Sequence, residues 1–320
     1  MQGSIIGFKK QRLIRISSTS FRRQLLVVLL FGIMGFTFAQ QYMGVSVDND
    51  LYFGIDRYYT SGMFLEYGKV INTSIDSIDH WRYKSRHWTL GQEINTPSLR
   101  LTKDLAKMDY PYNGWLYIRF EQAHFQHPDL GYTWGLQIGT TGAEKSFAKF
   151  MQNTYHTYIL NLDELSWSFT IPQAYHLNFY TNLMWGKPLN EKFKFVQENQ
   201  IQFGTFRTSL KTRIGLQMGS MKGLPFFGQR LEQLVDGFAV FLGAAFEYNI
   251  HDYSLSGSFI NDNSPFHLRP SHLRNDLQGG FMFFKNPWKT KVLMHSSSRF
   301  ISSQKFKRHP YLNITLSRVF

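Results

Sequence analysis

Residues 47–62 read VDNDLYFGIDRYYTSG and set Asp48, Asp50 and Asp56 beside Asn49, Arg57 and Thr60. Groups of these types at this density suit two kinds of chemistry. Aspartate and carbonyl oxygens hold hard cations such as Ca²⁺, and an amide or hydroxyl beside them can donate to a developing oxyanion. The D-x-D start lacks the spacing and closing glutamate of a helix-flanked calcium loop, so an acidic surface turn is the plain alternative. Two more polar groups follow. Glu93 and Asn95 precede Arg100 and Lys103, and Gln152, Asn153 and His156 sit within residues 145–162. That last segment has no proline or glycine and carries Phe147, Met151, Tyr155, Tyr158 and Leu162 at intervals of three and four. This is the period of an amphipathic helix, on which Gln152 and His156, four apart, share a face. A solvated histidine on an exposed helix is the bland alternative.

Strands must hold these groups in place. Segments 43–53 and 59–70 alternate as a hairpin whose acidic tip is 54–57. Thr60, Gly62 and Glu66 share one parity, opposite Met63, Leu65 and Tyr67, so regular pleating turns Thr60 inward. Asn49 and Asp50 then face opposite ways unless the first strand bulges or ends near Asp48.

The same alternation recurs in about twelve segments of roughly ten residues, among them 131–139, 175–186, 209–219 and 238–250. The fold class expected is all-β: a transmembrane antiparallel barrel of about 12 strands over 40–320, with a short helix in an extracellular loop. A soluble β-sandwich also alternates, but 17% aromatic content and a closing strand that ends on Phe320 favour the barrel. With the first strand running outward, most long connections fall outside, including 140–173. Residues 220–236 fit poorly, because they form a long connection at the inner end.

Residues 1–39 carry Lys9, Lys10, Arg12, Arg15, Arg22 and Arg23 without an acid, then an apolar run that ends before Ala39. We read a signal peptide over 1–39, since the run is shorter than the ~20 residues of a spanning helix. Its removal takes 6 of 35 basic residues and none of 22 acidic ones, which leaves 29 − 22, or +7. An exported basic chain fits lipopolysaccharide or anionic lipid better than nucleic acid. No cysteine is present, which excludes disulfides and thiolate chemistry.

In order and approximate spacing, DNDLYFGIDRYYTSG, GQEINTPSLRLTK (91–103) and QNTYH (152–156) resemble the outer-membrane lipid A 3'-O-deacylase family; the C-terminal third agrees only in strand pattern. The resemblance implies a twelve-stranded barrel of the Gram-negative outer membrane that hydrolyses an ester-linked acyloxyacyl chain of lipid A with Ca²⁺. It assigns the catalytic set to Asn49, Asp50, Thr60, Gln152 and His156. Where the family has a lysine-arginine pair, this chain has Thr102-Lys103, so only Lys103, with nearby Arg100, is offered for a substrate phosphate. The family's glutamate six residues beyond the histidine falls on Leu162, followed by Asp163 and Glu164. The metal ligands stay open among Asp48, Asp50, Asp56 and Glu93. A neutral histidine that takes a proton from water would suit ester hydrolysis, with Asp50 or a neighbouring acid to orient it. A non-catalytic channel or adhesion barrel and a surface phospholipase are the competing functions.

Overall fold

The structure is a computed structural model that describes residues 40–75, 81–228, 231, 236–258, 264–266 and 268–320. The signal peptide expected over 1–39 lies outside them. Ala39–Phe320 form one compact unit. Its strands are β1 (Gln41–Asn49), β2 (Tyr58–Ile75), β3 (Trp81–Thr96), β4 (Asn113–His127), β5 (Leu130–Thr141), β6 (Tyr175–Pro188), β7 (Phe193–Gly204), β8 (Arg207–Gly219), β9 (Gly237–Asp252), β10 (Leu273–Lys285), β11 (Trp288–Ser298) and β12 (Arg308–Val319). Each pairs antiparallel with its sequence neighbours, and β1 pairs with β12 from Tyr42↔Val319 to Asn49↔Leu312, so the sheet closes into a barrel. Closure leaves no unpaired edge, which a hydrocarbon environment requires.

Alternation decides the two faces of the wall. Val45, Leu65, Trp88, Leu90, Ile118, Leu136 and Ile138 stand exposed on the outside. The opposite parity encloses a polar cavity of about 410 Å³, lined by Asp48, Tyr59, Glu93, Arg119, Glu247 and Arg274 among others. Charges inside the barrel are paired across strands, as in Arg274–Glu247 at 2.9 Å in this cavity and Arg213–Glu198 at 2.8 Å in a neighbouring one.

Residues 220–228 and Leu231 turn into the barrel, which explains why the connection that contains them is so long. Leu224, Phe226, Phe227 and Leu231 pack against Tyr42, Phe125, Met184, Phe241 and Phe284 at the end where the chain enters and leaves the barrel. Phe226 stacks on Phe241 with centroids 5.3 Å apart, and Arg213 lies 4.0 Å over the Phe227 ring while donating to the Phe226 carbonyl. At the opposite rim Tyr58, Tyr110, Leu255 and Ile301 form a second apolar cluster.

Candidate active site

The 47–62 stretch is less regular than alternation alone would make it. β1 stops at Asn49, whose Oδ1 accepts from the Leu51 amide at 2.7 Å and so opens a 3₁₀ turn over Leu51–Phe53. Gly54, at φ 67°, ends that turn in the left-handed region that glycine adopts without a Cβ penalty. Asp50, fully buried, accepts from the Arg57 amide at 3.0 Å and donates its own amide to the Thr60 carbonyl at 3.2 Å. The β2–β3 register slips between Tyr59 and Ser61, which makes Thr60 the extra residue of a bulge. Tyr59 therefore lines the lumen together with Phe64 and Glu66, of opposite parity, and Thr60 falls on the outward side. There its Oγ1 lies 2.9 Å from Asp50 Oδ1 and 2.7 Å from Asp56 Oδ1.

The histidine arrives from a different part of the chain. Helix α1 (Ala148–Tyr155) continues into a π turn over His156–Leu160, and Ala148, Gln152 and His156 form its buried face. Gly114 on β4 admits the helix to the outer wall. A Cβ there would stand 2.0 Å from Ser146 Oγ and 2.3 Å from Ala148 Cβ. Asn153, grouped with the polar candidates in sequence, instead fixes the returning chain by accepting from the Leu165 amide at 3.0 Å. π turns recur at functional sites because the wider coil re-aims a side chain. Here it holds His156 Nε2 at 3.1 Å from Asp56 Oδ2, an oxygen that also takes Arg100 Nη1. His156 Nδ1 and Gln152 Oε1 are buried without a hydrogen-bond partner.

The two aspartates are driven apart electrostatically. Burial above all, with the like charge of Asp56, pushes Asp50 up to about 8. Burial also acts upward on Asp56, but the His156 and Thr60 hydrogen bonds and the charges of His156 and Arg100 outweigh it and hold this carboxyl below the ordinary range. One hydroxyl hydrogen cannot serve both Asp50 Oδ1 and Asp56 Oδ1. With Thr60 donating to Asp56, a proton on the Asp50 carboxyl, which its raised value favours, completes the 2.9 Å contact with the hydroxyl. The donors there are all oxygen, which suits a hard cation.

Several sequence expectations change. Thr60 does not face the lumen, because the bulge reverses its side. The four-carboxylate metal set is divided by the wall: Asp48 points inward to Tyr59 Oη at 2.6 Å and Asn313 Nδ2 at 2.5 Å, and Glu93 lines the same cavity, away from Asp50 and Asp56. Among the described residues no three His, Cys, Asp or Glu side chains gather as a metal cage. Arg100 pairs with Asp56, and Lys103 lies exposed three residues on. Leu162, Asp163 and Glu164 are exposed, so the carboxylate at the histidine is Asp56, from the opposite direction in sequence. His309 was missed. Its Nε2 donates to the Tyr59 carbonyl at 2.7 Å and stands 4.0 Å from Asp50 Oδ2, a position that follows only from closure of β12 on β1.

The profile of a family described as "Outer membrane protein LpxR" matches residues 25–320. Among solved structures, LpxR from Salmonella typhimurium superposes with a TM-score of 0.71 at 17% identity, covering 87% of this chain and 100% of its own. The translocator domain of the autotransporter NalP from Neisseria meningitidis gives a TM-score of 0.42 at 11% identity, covering 94% and 96%. No curated protein matches the chain.

Proposed function

Because this chain belongs to the outer membrane protein LpxR family, we propose that it is a lipid A deacylase. It would hydrolyse the ester of the 3'-linked acyloxyacyl chain through His156. The observation that carries this reading is the Asp56–His156 pair at 3.1 Å, which joins the first hairpin to a helix about a hundred residues away on the lipid side of the wall.

Asp56, kept ionised by Arg100, accepts Nε2–H and thereby fixes the tautomer that leaves the Nδ1 lone pair free. Nδ1 takes a proton from water while the water oxygen bonds to the ester carbonyl carbon. The resulting imidazolium is stabilised by Asp56. It returns the proton to the alkoxide as the carbon–oxygen bond breaks, releasing a fatty acid and a hydroxyl-bearing lipid. Gln152 Oε1, on the same helix face, is an acceptor for the second water hydrogen. Asn49 offers an amide donor to the oxyanion. Calcium belongs to the proposal: Asp50 and the Thr60 hydroxyl would hold it, and it would polarise the ester carbonyl. Arg100, one third exposed, keeps donors for a substrate phosphate beyond the one given to Asp56.

Twelve strands bring both chain ends to one side of the membrane, and the longer connections gather at the other. These features support a site at the outer leaflet, where lipid A lies. The inward-folded 220–228 segment disfavours a channel, since it fills one end of the lumen with apolar side chains.

Outer membranes from cells that express the chain should lose the 3'-linked acyl group by mass spectrometry, and His156→Ala should abolish the loss. Intact lipid A beside well-folded wild-type protein would refute the proposal. Fatty acid released from phosphatidylethanolamine instead would make the chain a phospholipase.

A further inference from the structure

The site helix is built inside out. Its protein-facing stripe contains Gln152 and His156, whereas Phe150, Tyr158 and Ile159 point away from the protein at 67%, 80% and 68% exposure. A helix in water buries its apolar face, and the exposed apolar area here favours transfer out of water.

Two further observations say what covers it. Gly114, which receives the helix, belongs to the outward parity of β4 that continues through Leu116 to Ile118. Ile118 and its cross-strand partner Ile138 are 55% and 62% exposed on the lipid-facing surface. The apolar face of the helix is thus continuous with that band. Lys145, exposed, precedes the helix, and Lys149 in its first turn pairs with Glu144 at 2.9 Å, so a charged edge flanks the apolar face, as expected of an interfacial helix.

We propose that α1 and its π turn form an interfacial anchor, with Phe150, Tyr158 and Ile159 embedded among the acyl chains of the surrounding leaflet. The anchor fixes the depth of His156, so that an acyl ester reaches it sideways from the membrane rather than from external water. The route rests on the deacylase reading; the insertion does not.

The absence of cysteine allows each position to be labelled singly. Phe150→Cys, Ile159→Cys, the lipid-band control Ile138→Cys and the polar control Glu144→Cys would each carry bimane in phosphatidylcholine proteoliposomes. Folding of each would be checked by heat-modifiable migration. Positions 150 and 159 should match 138, quenched by acyl-brominated lipid at least threefold more than by aqueous iodide, with 144 reversed. Quenching of 150 and 159 by iodide to the extent seen at 144 would overturn the insertion. Ile159→Asp should lower lipid A turnover about tenfold in bilayers and less than twofold in detergent micelles. An equal effect in both would overturn the sideways route. If wild-type shows no deacylation at all, the functional reading fails while the quenching pattern still decides the anchor.

Discussion

Two histidine–aspartate contacts, one in the lumen and one beside the first hairpin, separate structural chemistry from poised chemistry. Asp276 and His295 sit on adjacent strands inside the lumen at 2.7 Å. Gln278 and Ser297 also donate to that carboxylate, and the His295 ring is stacked on Tyr311 at 4.5 Å. This pair is a cross-strand contact that the β10–β11 ladder makes almost inevitable, because Gln278 lies directly opposite His295 and Asp276 opposite Ser297. Asp56 and His156, at 3.1 Å, come from two loops and meet outside the wall. Their approach needs a bulge, a glycine gap and a π turn, and it leaves the second imidazole nitrogen unpaired. Arrangements that several irregular features conspire to produce belong to function more often than to stability.

The comparison is broken most directly by neutralising each acid. Asp56→Asn should reduce deacylation by about 10²–10⁴, the range for losing acid–base catalysis, and lower stability by about 1–3 kcal/mol because Arg100, His156 and Thr60 lose their charged acceptor. If the rate survives, Asp56 is not the group that orients His156. Next in size is Gly114→Val, whose Cβ would collide with Ser146 and Ala148 and push the helix off the wall. A displacement near 1 Å costs about 10² in rate, while the barrel itself keeps its strands. Circular dichroism alongside turnover would check both halves.

Asp50 gives a smaller, pH-dependent effect. Its folded-state value near 8 lies above the ordinary one, so between about pH 4 and 8 the folded chain retains a proton that the unfolded chain has released. Stability measured in chelator should therefore decline as pH rises through that window, and Asp50→Asn should remove the decline. Asp56 has the opposite sign: its contribution is present above the ordinary carboxylate value and lost as pH falls through its lowered one. Added calcium should flatten the Asp50 decline by replacing the proton. A wild-type midpoint independent of pH from 4 to 8 would remove the carboxylate crowding from the account.

Much of this was legible in the chain because period-two alternation is local. The segments 131–139, 175–186, 209–219 and 238–250 fall close to β5, β6, β8 and β9, and the Asn49–Thr60 and Gln152–His156 clusters announce themselves by residue type. What could not be read depends on register or surroundings. One extra residue in the pairing of Tyr59 and Ser61 with β3 moves Thr60 through the wall, and no feature of the sequence marks it. The periodicity of 145–162 shows two faces of a helix but not which one meets protein. Where the solvent is lipid, the usual assignment inverts. His309 in a strand carries no signal of its own, since its neighbours Tyr59 and Asp50 are about 250 residues earlier.

The smallest expected effect on activity is the one that sharpens the contrast most. Asp276→Asn removes a charge that holds His295, Gln278 and Ser297 together, so it should lower stability by about 1–3 kcal/mol, the cost of leaving buried donors without their charged acceptor. It should change turnover by less than about threefold, because the wall stands between this pair and the ester and nothing in the proposed proton path crosses it. Thermal unfolding and turnover measured on the same preparation separate the outcomes. A large rate loss at unchanged stability would mean that the lumenal charges set the state of the Asp50–Thr60–Asp56 cluster across the wall. The wall would then be a conductor of electrostatic influence rather than a partition.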